Sequence, residues 1–206
     1  YQAPDMEGCD FAGLLELVSA QPGVRRIRFA SPHPRYVTPR LIAAIRDLPG
    51  VCKHLHLPMQ SGSTRVLQAM RRRHTRDDYL RLVDDIRRAI PGIALSTDMI
   101  VGFPGETTED FADTLSLVAS VRFNSMFSFK YSVRPNTLAE RRLKDDVDEA
   151  EKGRRLTELQ ALQKSIQTAV HGRLLGQTVS VLVDSTSRRR PEEFSGRTTG
   201  NTVVNF

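Results

Sequence analysis

Tryptophan is absent from this chain, and cysteine occurs only at Cys9 and Cys52. Two isolated cysteines cannot build a disulfide framework, and their spacing matches no metal-binding pattern. A reducing, cytoplasmic setting is the default. Long apolar runs are also missing. Nothing approaches the ~20 residues of a membrane span, and no signal-peptide pattern is present. Acid is the scarcer charge, with 24 Asp and Glu against 30 Lys and Arg. The net charge of +6 and pI near 9.7 suit an anionic partner. No initiator methionine precedes Tyr1, and the sequence closes on the apolar run Val203-Val204-Asn205-Phe206, so both ends read as cut from something longer.

What is present alternates. Phe11, Leu14, Leu15 and Val18 have helical spacing, stopped at Gln21-Pro22-Gly23. Residues 25–30 read as a short strand. Thr38-Pro39 caps a helix carrying Leu41, Ile42 and Ile45, and Pro49-Gly50 ends it before a strand over 51–57. Ser63 and Thr75 cap two further helices, and a strand runs from Ile93 to Val101. A helix with Phe111, Leu115 and Val118 follows, then a strand over 126–131. Strands separated by helices of this length need parallel crossovers, so the fold class is α/β with a parallel sheet. Beyond Tyr131 the pattern changes. An acid-led polar helix runs through Leu156, Leu159, Leu162 and Ile166 to Gly172. Strand-like segments over 178–183, 194–198 and 202–206 then suggest the front of a small β-barrel.

Parallel α/β folds place their chemistry at the C-terminal strand ends. Four loops lie there: residues 31–34, 58–63, 102–106 and 131–134. In the most informative, Gly102-Phe103-Pro104-Gly105-Glu106 leads into a helix opened by Thr107, a turn where backbone can approach a flat or phosphate-like group. A plain tight turn explains it equally well. Gln60-Ser61-Gly62-Ser63 offers an amide and two hydroxyls, part of whose value is capping. Asp98, inside an apolar strand, needs either an arginine on a neighbouring strand or ligand hydroxyls. His33 reads first as a turn residue. His54 and His56 share one strand face, His54 as a structural histidine and His56 open to either role. Arg71-Arg72-Arg73 is a solvated helix end or a phosphate-contacting patch, and Arg188-Arg189-Arg190 faces the same choice on a loop between barrel strands.

Four tracts together carry a family resemblance. They are residues 56–63 (HLPMQSGS), 98–107 (DMIVGFPGET), 127–135 (FSFKYSVRP), and 195–198 (SGRT) with 201–206 (NTVVNF). They resemble the radical S-adenosylmethionine methylthiotransferases, in order and over nearly the whole chain, and within that family the tRNA branch.

The resemblance implies the C-terminal part of a radical SAM partial (β/α) barrel over residues 1–143. A linker helix over 144–173 and a truncated, TRAM-like RNA-binding β-barrel over 174–206 would follow it. The implied reaction is methylthiolation of C2 of N6-isopentenyladenosine beside the tRNA anticodon. Threonylcarbamoyladenosine as the target nucleoside, or a non-catalytic RNA-binding module, is the alternative. The implied cofactors are S-adenosylmethionine and two 4Fe-4S clusters, with cluster ligands that this chain lacks. The implied partners are tRNA and a flavodoxin-type reductase system, with no membrane and a monomeric state, and the chain alone is expected to be inactive. For S-adenosylmethionine the expected residues are Gln60, Ser61, Asp98, Gly102, Phe103, Gly105, Glu106 and Arg134. For RNA they are Arg188, Arg189, Arg190 and Arg197. Two positions depart from the family pattern: Asn136 replaces a usual glycine and Thr202 a common arginine.

Overall fold

The strands β1 (His54–His56), β2 (Ala94–Val101) and β3 (Ser125–Lys130) form a parallel sheet in the order β1-β2-β3. They are seen in a computed structural model that describes residues 8–30, 32–188 and 190–206. Single parallel bridges, Ile27 with Val51 and Gln60 with Met99, prolong the sheet at both ends of β1. The strand expected over residues 25–30 is thus represented by one bridging residue. Its flanking Arg26 and Arg28 reach instead for the carbonyls of Ser180 (3.2 Å) and Thr198 (2.6 Å).

The helices are α1 (Phe11–Ser19), α2 (Pro39–Asp47), α3 (Thr64–Ala69), α4 (Arg76–Ala89) and α5 (Thr108–Val121), and the last four start where Thr38, Ser63, Thr75 and Thr107 placed them. Asp10, Thr38, Ser63, Thr75 and Thr107 each accept a first-turn N–H, and Thr75 with Asp78 and Thr107 with Asp110 close capping boxes. One turn of 3₁₀ helix over Pro34–Tyr36 and the short α6 (Leu138–Arg142) were not foreseen in the sequence pattern.

Strand alternation sorts the two faces of the sheet. Leu55, Leu95, Met99 and Val101 point to the helices and are essentially inaccessible, packed in one core with Tyr79, Val83, Ile86, Leu117 and Val118. The Tyr79 hydroxyl donates to the Leu57 carbonyl at 2.8 Å. His54 and His56 of β1, Ser96, Asp98 and Ile100 of β2, and Phe127 and Phe129 of β3 share the opposite face.

The long helix α7 (Glu149–Gly172), expected as a linker, packs along β3 and α5. It buries Leu159 and Ile166 in the core, and Gln163 Nε2 donates to the Phe123 carbonyl at 2.9 Å. A second, antiparallel sheet β4 (Val181–Thr186), β5 (Phe194–Thr198), β6 (Val203–Asn205) follows. Its first strand starts three residues later than the alternation suggested, because pairing with β5 sets the register, with a bulge between Val183 and Ser185.

Candidate functional site

At the C-terminal end of the parallel sheet lies a cleft of about 1090 Å³. Gln60, Asp98, Ile100, Phe103, Phe129 and Tyr131 form part of its lining. Gln60 takes a left-handed backbone (φ 78°), uncommon for a non-glycine residue. It is held there because its N–H donates to the Asp98 carbonyl and its own carbonyl accepts from Ile100 N–H, both at 2.9 Å. Residues held in sparsely populated backbone regions cluster at active sites and ligand clamps.

A polar chain crosses the open face behind it. The Ser96 hydroxyl lies between His56 Nδ1 (2.8 Å) and His54 Nε2 (3.0 Å), and with its single proton it donates to at most one of the two rings. The second nitrogen of His56 stands 3.4 Å from Asp98 Oδ1. Asp98 thus has a histidine as its strand neighbour, where the alternative to ligand binding had supposed an arginine. Burial, followed by the charge of Arg28, lowers His54 to about 4 and keeps it neutral.

The Gly102–Glu106 loop is built largely from inside. Gly102 N–H donates to Glu106 Oε1 at 2.9 Å, and Arg155 from α7 donates to the same oxygen at 2.7 Å. Both side chains are almost inaccessible (1% for Glu106, 6% for Arg155), while Glu106 Oε2 has no hydrogen-bond partner among the described residues. Burial pushes the Glu106 carboxyl above its ordinary value, opposed by the Gly102 and Arg155 bonds. Gly102 has φ 70°, and a Cβ there would come within 2.3 Å of Lys152 Cγ. Lys152 Nζ bonds both carboxylate oxygens of Asp145, at 2.7 and 2.6 Å, and lies over the Tyr131 ring. Gly105 N–H donates to Asp146 at 2.7 Å. Phe103 alone of this loop reaches the cleft, edge-on to Tyr131 with centroids 5.1 Å apart.

Ser61 is fully buried, its hydroxyl accepting from Ser63 N–H at 3.2 Å. Ser63 in turn donates to Asp110 at 2.6 Å, and Asp110 also holds Arg65 and Thr107. These bonds hold Asp110 far below the usual carboxylate range despite its burial. Arg134 is exposed on the cleft wall, and Asn136 takes φ 65°, a left-handed backbone that asparagine tolerates.

Arg188 and Arg197 line a separate hollow of about 490 Å³ on the second sheet. Arg190 pairs with Glu193 at 2.9 Å, and Arg197 reaches Asn201 Oδ1 at 3.3 Å. Arg189 lies outside the described residues. Sequence reasoning missed Lys152, Arg155 and Asp145, which clamp the Gly102 loop. Their only signal was a polar helix with an acidic start.

A protein-family model described as the radical SAM superfamily matches residues 8–118. The chain belongs to the radical SAM superfamily. Among curated proteins it is 50% identical over 200 residues to the tRNA-2-methylthio-N(6)-dimethylallyladenosine synthase of Moorella thermoacetica, covering 97% of this chain and 45% of that protein. The synthase of the same name from Acetivibrio thermocellus is 47% identical over 200 residues, with 97% of this chain and 42% of that protein covered. The chain therefore spans less than half the length of these relatives. Among solved structures, coproporphyrinogen III oxidase from Escherichia coli, itself a radical SAM enzyme, superposes with a TM-score of 0.55 at 25% identity, over 66% of this chain and 31% of that one.

For the groups this superfamily uses, the residues give two different answers. Cys9 and Cys52 are both buried and free, and among the described residues no three His, Cys, Asp or Glu side chains gather to hold a metal. The described residues do not fit an iron–sulfur cluster. The cleft does fit a nucleoside with a charged amino-acid tail: it joins an acid and an amide to aromatic surface, with a cationic wall. No helix among the described residues is long and apolar enough to cross a membrane.

Proposed function

We propose that this chain is the cofactor-binding and RNA-facing part of a tRNA methylthiotransferase acting on C2 of N6-isopentenyladenosine next to the anticodon. The observation that carries the reading is 50% identity over 97% of the chain to a protein named for that product. A cleft at the strand ends with room for a nucleoside supports it. S-adenosylmethionine, held in the cleft, would supply the hydrogen-abstracting chemistry. The work of this chain is to bind, orient and shield. Asp98, oriented by His56, and Gln60 would hold hydroxyl and amino groups, while Phe103, backed by Tyr131, would cover a base. Arg134 would meet a carboxylate. Ser61, Gly102, Gly105 and Glu106 would shape the pocket from behind, since the Ser61 hydroxyl, the Gly102 and Gly105 N–H groups and Glu106 Oε1 are engaged within the protein.

Cluster ligands would come from residues other than those described here, and electrons from a flavodoxin-type reductase. The second sheet would belong to a TRAM-like module, with Arg188, Arg189, Arg190 and Arg197 toward tRNA. A monomer working in the cytoplasm completes the reading. The test uses the full-length enzyme, reconstituted without oxygen and given tRNA carrying isopentenyladenosine. Mass spectrometry should find the methylthio product with wild type, while Asp98→Ala should lower both the product and the affinity for S-adenosylmethionine, by roughly tenfold or more. Undiminished cofactor affinity in Asp98→Ala would remove that residue from the site, and absence of product from wild type would overturn the function. This chain alone, given iron and sulfide, should show no stoichiometric cluster absorbance.

A further inference from the structure

The cleft carries more guanidinium groups than the one, Arg134, assigned to the cofactor carboxylate. Arg35, Arg71, Arg72, Arg73, Arg134 and Arg142 line it against one acid, Asp98. Among the described residues none of these six meets a carboxylate, whereas Arg40, Arg46, Arg65, Arg81, Arg88 and Arg154 elsewhere each do. The backbone aims them. Arg71 closes α3 in a left-handed conformation (φ 57°), with its N–H on the Gln68 carbonyl and Arg72 N–H on the Leu67 carbonyl. That is the reversal used to end helices, normally taken by glycine. It leaves Arg71 and Arg73 exposed, and turns Arg72 half-buried toward Asp98. Arg35 is set beside them by the 3₁₀ turn, where His33 Nδ1 accepts Arg35 N–H at 3.2 Å and the His33 ring meets His74 edge-on at 5.4 Å. His33 lines the cleft with Arg35, Arg72 and Arg73, and burial, then the charges of Arg72, Arg35 and Arg73, disfavour its protonation.

We propose that Arg35, Arg71 and Arg73 form a phosphate-binding rim that grips the RNA backbone next to a nucleotide extruded into the cleft. The inference rests on the function proposed above and adds a second RNA surface, on the barrel, to the one on the antiparallel sheet. Unpaired, exposed guanidinium forks match phosphate oxygens, and an enzyme that must reach a ring carbon of one base needs that base out of the stack. Phe129 and Tyr131 among the cleft-lining residues offer the apolar surface for a base, while the rim offers the charge for its backbone.

The experiment is equilibrium binding of tRNA to the full-length protein across a salt series, with S-adenosylmethionine affinity measured in parallel. The variant is Arg35→Gln/Arg71→Asn/Arg73→Gln, with Asn chosen because it tolerates the left-handed backbone. A charge-matched control, Arg81→Gln/Arg88→Gln/Arg154→Gln, removes three arginines that do not line the cleft. Tenfold or greater weakening of tRNA binding is expected at about 150 mM salt, and the slope of log affinity against log salt should become shallower by about 0.7 per lost contact. Cofactor affinity should hold, and the control should fall much less. Wild-type affinity and slope in the rim variant would overturn the proposal. So would an equal fall in the control, or a loss confined to S-adenosylmethionine, which would assign the rim to the cofactor carboxylate. Should the triple variant lose thermal stability, Arg73→Gln alone is read by the same criteria. A wild-type protein that binds no RNA would overturn the proposed function together with this inference.

Discussion

Gly62 and Gly102 sit in loops on the same side of the sheet, yet they are glycine for different reasons. A Cβ on Gly62 would come within 2.4 Å of Thr114 Cα and 2.6 Å of the Asp113 carbonyl oxygen, where the loop after β1 lies directly on the backbone of α5. Gly62 N–H also donates to Thr114 Oγ1 at 2.9 Å. Backbone cannot swing aside, so Gly62→Ala should destabilise the protein by about 1–3 kcal/mol. The measure is a lower urea midpoint at unchanged m-value. At Gly102 the obstacle is the flexible Lys152 side chain, which can yield, but the positive φ still penalises any other residue. Gly102→Ala is expected to cost about 1 kcal/mol from backbone strain and to loosen the Lys152–Asp145 pair, read by the same urea midpoint. The sequence marked Gly102 as a place where something must come close. It did not say that the visitor is a lysine from a distant helix, because no local pattern joins the two positions.

Helix α7 shows the same limit at the scale of an element. Its buried residues Lys152, Arg155, Leu159, Gln163 and Ile166 recur with helical spacing, but only two are apolar. A hydrophobic-periodicity reading therefore sees a solvated linker. The stripe is polar because it must satisfy the Gly102–Glu106 loop and the Phe123 carbonyl. Removing one member should be costly. Arg155→Leu would strand the Glu106 carboxylate without its cation, at about 3 kcal/mol, and adding Glu106→Gln should recover a large part of that. A double-mutant cycle in urea measures the coupling, and additive effects would show that the pair does not matter. The elements best read from sequence were those with local start signals. Thr75 with Asp78 and Thr107 with Asp110 fix α4 and α5 within a few neighbouring residues. Strand β4 was misplaced because its register belongs to β5, a partner across a turn. The cleft itself was legible as four converging strand-end loops, whereas its arginine rim needed the turn at Arg71 to bring it to the mouth.

Across the whole molecule, one sheet face is dry and the other carries the polar chain His54–Ser96–His56–Asp98, so the site and the stability of the fold share the same strands. This coupling gives a pH dependence with a definite sign. His54 titrates near 4 in the folded protein because burial disfavours its charged form, against about 6.5 when unfolded. Below the unfolded value the unfolded chain takes up a proton that the folded one refuses, and stability falls wherever the unfolded state binds more protons. The contribution of His54 is therefore complete above pH ~6.5 and is lost progressively down to pH ~4, where it levels off. His33 and His74 are lowered too, mainly by burial, and act in the same direction. Asp110, whose folded value is depressed, is lost in a separate, more acidic window that opens only below the ordinary carboxylate value. Urea unfolding between pH 7.5 and pH 4.5, a range that covers most of the histidine window and stays above the carboxylate one, should show stability declining as pH falls. His54→Gln should flatten part of that decline while keeping a hydrogen-bonding group near Ser96. A decline unchanged in His54→Gln would assign the effect to the other histidines, and a flat profile in the wild type would mean that protonating this face of the sheet costs the fold nothing.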